Sequence, residues 1–124
     1  MVVTSILSTD AEMLAMAGSD VNTTGFSDAN KTAWGIQAEA IISALGHYDF
    51  PTNVGTLSAK IKGLLSEYVA RYVAVGGLTY NPLGQSGGKN RIQFEDEIQI
   101  HLFRMRTIEK LMSDSEALTE LGVV

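Results

Sequence analysis

Apolar positions recur along this chain at helical spacing, in four stretches separated by polar and glycine-rich ones. In the first, Met13, Leu14, Met16 and Ala17 form an apolar side. Ser8 and Thr9 precede it, and Thr9 with Glu12 fits a capping box. Gly18 is placed to stop it. SDVNTTGFSD then reads as a loop rich in capping and turn residues. The second stretch runs from about Asp28 to Leu45, capped by Ser27 or Asp28. Trp34, Ala38, Ile41 and Leu45 follow the 4,3,4 spacing of one helix face, with Gly46 as the C-cap.

HYDFPTNVG is a turn, and a third helix is expected from about Thr56 to Val75. Its main stripe is Leu57, Ile61, Leu64, Tyr68, Tyr72 and Val75, and Leu65, Val69 and Val73 widen it past half the surface. Glu67 and Arg71 can pair at i,i+4, and Gly76-Gly77 is expected to end the helix. The fourth helix, about Ile92 to Met112, carries two stripes: Phe94, Ile98, Leu102, Met105, Ile108 and Met112 on one face, and Ile100, Phe103 and Leu111 on another. A tail, SDSEALTELGVV, opens with a cap signal at Ser113 and Glu116 and predicts a short fifth helix. VARYVAVGGLTY has β propensity, but its apolar spacing continues the helical stripe before it.

The pattern therefore predicts an all-α fold: a small antiparallel bundle of four main helices plus a short C-terminal helix. A long glycine-rich loop precedes the last long helix. One domain spans 1–124, with 113–124 as a tail that can detach. The length of 124 residues suits one domain with its own core.

Composition narrows the function. Apolar residues make up 45% and charged residues 19%, which is globular rather than disordered. A net charge of −5 argues against nonspecific DNA or RNA binding, which needs clustered Lys and Arg. The chain has no cysteine, so disulfides, thiolate catalysis and cysteine-based zinc sites are excluded. MVVTSILSTDAEM lacks the basic and long apolar regions of a signal peptide. No window reaches the roughly 18 apolar residues of a membrane span. The expectation is a soluble protein used without export.

Candidate chemistry is sparse. GQSGGKN invites comparison with the phosphate loop GxxxxGK[ST], but Leu83 stands at the first glycine and Asn90 at the hydroxyl position. No strand precedes it either. From Thr79 to Asn90 the connection is longer than the usual 2–8 or so residues of a bundle. A loop that orders against a partner and a plain disordered connection both remain open. Glu95-Asp96-Glu97 sits in the first turn of helix four, where the dipole favours acids, and consecutive residues fan around a helix rather than converge on one ion. His47 and His101 lack metal-ligand spacing and are expected as loop and surface groups. No serine stands in GxSxG. An enzyme is not expected, nor a cofactor or metal.

Arg104, Arg106 and Lys110 follow the acidic start of helix four. They either complement its dipole or form an electrostatic seam with a neighbouring subunit's acidic end. The double stripe has two readings as well. Either helix four is buried all round, or one stripe meets another chain. On the second reading, Leu102→Asp or Phe103→Asp spoils assembly and one of them leaves the monomer folded.

The order of segments adds a resemblance. AEAIISALGHYDF leads into LSAKIKGLLSEYVARYVAV and TYNP, followed by a loop, a long helix and a short helical tail. Over residues 28–112 this resembles the small head–tail connector (adaptor, or head-completion) proteins of tailed bacteriophages. Ala38-Glu39-Ala40, Tyr48-Asp49, Ala70-Arg71-Tyr72 and Tyr80-Asn81 carry the likeness. The resemblance implies a virion neck component assembled in the host cytoplasm. Copies would form a ring, usually of twelve, between the portal protein and a stopper or tail protein, with DNA only as passing cargo and no membrane. Terminal segments of such adaptors grip the portal, which would employ SEALTELGVV. The residues expected at interfaces are Leu83, Gln85, Lys89 and Arg91 around the loop, Phe103, Arg104 and Arg106 on helix four, and Leu118 and Leu121 in the tail. The competing reading is a small helical binding module that grips one protein partner through its loop or tail.

Overall fold

The computed structural model describes residues 6–18, 26–80 and 91–120. Among these residues the protein is all α, without a strand. The elements are α1 (Asp10–Ala17), α2 (Asp28–Gly46), a 3₁₀ turn (Val54–Thr56), α3 (Ala59–Tyr80), α4 (Arg91–Met112) and α5 (Ser115–Glu120). The expected glycine-rich loop falls at 81–90, outside the described residues.

Local chemistry sets most boundaries. The Thr9 hydroxyl accepts from the Glu12 N–H, and the Glu12 carboxylate accepts from the Thr9 N–H, which completes the expected capping box. Ser27 caps α2 by accepting from the Asn30 N–H at 3.2 Å. Asp49 fixes the turn after α2, accepting from both the N–H and the hydroxyl of Thr52. Phe50, in that turn, is fully buried, and its ring lies 5.2 Å from that of Tyr48.

α3 is the axis of the bundle, and α1, α2 and α4 each pack on it. Ile61, Leu65, Tyr68, Val69, Val73, Ala74 and Leu78 are buried along its length. The direction of packing follows from the contacts. Gln37 meets the Tyr72 hydroxyl while Trp34, one turn earlier, lies over Gly76, so α2 and α3 are antiparallel. Arg71 meets His101 while Glu67 meets Arg104, so α3 and α4 are antiparallel as well.

Four expectations about elements change. α3 does not stop at Gly76-Gly77 but continues to Tyr80. Gly76 serves packing instead, because a Cβ there would stand 2.8 Å from the Trp34 ring. Of the expected row Trp34, Ala38, Ile41 and Leu45, Ala38 is buried and Trp34 packs against the core, but the inward face of α2 follows a different line. It is Lys31, Gly35, Ala38, Glu39, Ile42 and Gly46, while Ile41 and Leu45 are exposed. Small residues on this line let the helix approach closely; a Cβ at Gly46 would stand 2.9 Å from the Phe50 ring and 3.1 Å from the Met112 carbonyl. His47, not Gly46, takes the left-handed position after α2, at φ 51°. Finally, Ser113 does not cap α5. Its hydroxyl donates to the Lys110 carbonyl, and Asp114 accepts from the Glu116 N–H.

Candidate functional site

The charged side chains near the core are engaged in holding the bundle together. Lys31, although on a surface helix, is buried; its Nζ lies 2.6 Å from Asp10, 3.5 Å from Asp28 and 4.9 Å from the centre of the Phe26 ring. Glu39 is also buried, and one of its oxygens accepts from the backbone N–H groups of Ile6 and Leu7, both at 2.7 Å. These two residues tie the N-terminal segment and α1 to α2. Unpaired in the interior, either would be costly.

A second cluster clamps α3 to α4. Glu67 accepts from Arg71 Nε at 2.7 Å and from Arg104 at 2.8 and 2.9 Å. The Arg104 hydrogen bonds outweigh burial and, with Arg71, hold the Glu67 carboxyl down at about 2. Arg71 also reaches His101 Nδ1 at 3.0 Å. An arginine only donates, so this nitrogen accepts and the ring proton lies on Nε2. The ring also bonds the Met16 backbone. Burial, reinforced by the Arg71 charge, pushes the His101 pKa below its ordinary value. The expectation of a surface histidine is therefore wrong. His101 is only 6% exposed, because it joins the end of α1 to α3 and α4. Deeper in the same seam, the Tyr68 hydroxyl donates to Glu109 at 2.7 Å, and burial together with that carboxylate raises the phenol's pKa.

With these charges turned inward, the outside is unusual. Asp28, Lys31 and Glu39 are the only charged residues in α2. With Lys31 and Glu39 buried, the outer face shows Ala33, Ile36, Gln37, Ala40, Ile41, Ala44 and Leu45 to solvent with no charge among them. α4 carries the second apolar face. Met105, Ile108 and Met112 are buried and Leu102 packs partly against the core. Ile100 is 61% exposed and Phe103 71% exposed, with Leu111 also outside. The buried stripe and the outer row are thus distinct, and the reading of α4 as buried all round is excluded. A monomer's surface helices normally point charge outward; α2 does the reverse, α4 shows Ile100, Phe103 and Leu111 beside its exposed Asp96, Arg106 and Lys110, and exposed apolar faces mark interaction sites.

The grooves of the surface are shallow. One of about 460 Å³ is lined by Lys60, Leu64, Leu111, Ala117 and Glu120. Another, of about 220 Å³, lies between the end of α1 and α4 and includes Glu97 and His101. The His101 ring is already held by Arg71 and the Met16 backbone. Among the described residues, no group of three or more His, Cys, Asp or Glu could hold a metal ion. None of their helices is long and apolar enough to cross a membrane.

The residues expected at interfaces separate into three groups. Phe103 and Arg106 are exposed on α4. Arg104 is not free for a neighbour's acid, because Glu67 of its own chain holds it through two hydrogen bonds. Leu118 is not at an outer surface either. It is 4% exposed and belongs to the core cluster, since α5 folds back on α4. Leu83, Gln85, Lys89 and Leu121 lie outside the described residues, as does the side chain of Arg91. The outer face of α2 was missed altogether. The sequence signal was present in the absence of any charge from Ala40 to Gly46, but apolar spacing alone did not say which side was inside.

No protein-family model, no curated protein and no solved structure matches the chain.

Proposed function

We propose that this chain is a structural, self-assembling protein, and that its place is the neck of a tailed-phage virion as a head–tail connector adaptor. In this reading copies stand side by side in a ring, of twelve by the resemblance. The ring sits between the portal and a stopper or tail protein, around DNA that passes without being bound. The observation that carries the assembly is the pair of exposed apolar groups of side chains, Ile36, Ile41 and Leu45 on α2, where Lys31 and Glu39 are turned inward, and Ile100, Phe103 and Leu111 on α4. The order of segments in the sequence supplies the phage placement. The function needs no cofactor; what the chain contributes is a helical bundle whose α3 and α4 are clamped together by Glu67, Arg71 and Arg104. The net charge of −5 is consistent with a conduit that does not retain DNA.

The test is to purify the tagged chain with its native partners and image the complex as single particles. A ring stacked on a portal is the expected result. A one-to-one complex with an unrelated protein, or a lone monomer, would replace the connector with a small binding module.

A further inference from the structure

We infer that His101 is an acid-released latch on the C-terminal end of α1: a protonated ring swings from Arg71 and Met16 into the groove beside it, and the last turn of α1 comes away from α3 and α4 while its first turn stays docked. The latch stands on the chemistry of the ring's two nitrogens and is independent of the assembly proposed above. Nδ1 accepts from the Arg71 guanidinium of α3 at 3.0 Å, which leaves the Nε2 proton for the Met16 backbone. Met16 lies in the last turn of α1, where carbonyls have no N–H of their own helix to meet. His101 thus closes the end of α1 from a neighbouring helix, and its ring is buried in doing so. A second proton can go only on Nδ1. The lone pair that accepts from Arg71 is then gone, and two cations stand at hydrogen-bond distance in a buried place.

The surroundings decide which of the two moves. On α3, Arg71 is held by Glu67 through Nε at 2.7 Å, and the same carboxylate takes two hydrogen bonds from Arg104 of α4. The guanidinium is therefore pinned. His101 instead lines an open groove of about 220 Å³, together with Met16, Gly18 and Glu97. Glu97 stands one turn before His101 on α4, and its charge favours the imidazolium. α1 brings no charge to this end: Asp10 is bound to Lys31, and Glu12 to Thr9 and Ser66, at its start. Those same bonds keep the first turn in place when the last is released. Burial and Arg71 disfavour the proton while the ring is docked, so protonation and release are coupled. One pH unit below the ordinary value of 6.5 a released ring is protonated about ten to one, so release gains about tenfold over neutral pH.

Hydrogen exchange in the full-length chain, read by NMR in low denaturant and corrected for the intrinsic effect of pH on exchange, tests the latch. Between pH 7.5 and 5.5 the amides of Met16, Ala17 and Gly18 should lose about tenfold in protection. Their opening exposes little surface, so low denaturant should hardly change it, whereas Tyr68, Val69 and Val73 in α3 should open with the steep dependence of global unfolding. Gly18, whose N–H donates to the Leu14 carbonyl, is the most direct probe, and Met13, bonded to Thr9 in the first turn, should follow α3. His101→Gln, whose amide offers an acceptor to Arg71 and a donor to Met16, should remove the pH-dependent loss at Met16, Ala17 and Gly18. Protection there that does not change with pH in the wild type would overturn the latch, because Arg71 would then be the group that gives way. So would a loss in His101→Gln equal to that of wild type. The steep denaturant dependence of α3 at those three amides would overturn it as well, since the proton would then act only by unfolding the whole bundle.

Discussion

At the scale of single residues, two positions show how a local rule yields to a distant neighbour. Glycine inside a helix costs roughly 1 kcal/mol relative to alanine, so Gly76→Ala would stabilise α3 if the helix stood alone. The Trp34 ring occupies the place of the missing Cβ, at 2.8 Å. Gly76→Ala is therefore expected to destabilise the protein by about 1–3 kcal/mol, read from chemical unfolding; a stabilised variant would show that Trp34 moves aside freely. Titration gives the other case. The lowered pKa of His101 means that the unfolded chain takes up its proton first as pH falls. Its contribution is present above the ordinary value of 6.5 and is lost below it. Glu67 contributes in a lower window, present above its ordinary 4.5 and lost as pH falls toward about 2. Thermal melts between pH 7.5 and 5.5 should thus fall for wild type and less for His101→Gln. Below pH 4.5 the further fall should be smaller in Glu67→Gln.

At the scale of elements, α4 and α5 give opposite answers to the same kind of substitution. Leu118 lies in the core cluster, so α5 is part of the bundle rather than a free tail. Leu118→Ala is expected to cost about 2–5 kcal/mol, measured by denaturant unfolding; a cost under about 0.5 kcal/mol, typical of surface changes, would put α5 back in solution. Of the two α4 substitutions, Leu102→Asp places a charge against the core and unfolds or loosens the monomer. Phe103→Asp, on the outer row, leaves the melting transition of the monomer nearly unchanged and acts on association alone. Equal destabilisation by both would contradict the separation of the two faces.

At the scale of the molecule, the distribution of charge is inverted on one side of the bundle. α2 uses Lys31 and Glu39 to dock the N-terminal segment and leaves its outer face to alanine, isoleucine, leucine and the uncharged Gln37. Glu39→Ala would leave the N–H groups of Ile6 and Leu7 without that acceptor, at about 1–3 kcal/mol. Hydrogen exchange should report it first at those two amides, since a local release there precedes global unfolding. Protection unchanged at both would mean that the carboxylate does not anchor the segment. The surface this docking creates is the one on which the proposed assembly depends.

The sequence by itself determined the helices, because period, caps and glycines act over a few residues: the Thr9–Glu12 box, the Ser27 cap and the span of α4 are all legible that way. It also separated the two stripes of α4, since seven residues of opposite exposure, from Ile98 to Leu111, fall on different sides of one cylinder. The facing of α2 was legible only in part. Its apolar residues ring the helix, so period did not choose a side. The choice fell to shape and to partners far along the chain: Gly35 and Gly46 allow close approach, and Asp10 and the amides of Ile6 and Leu7 satisfy charges that sequence reasoning would place in water. His101 turned inward for the same reason, as Arg71 and the end of α1 supply the bonds that burial removes. Only tertiary structure decides such cases, because a buried polar group is paid for by partners that no local pattern contains.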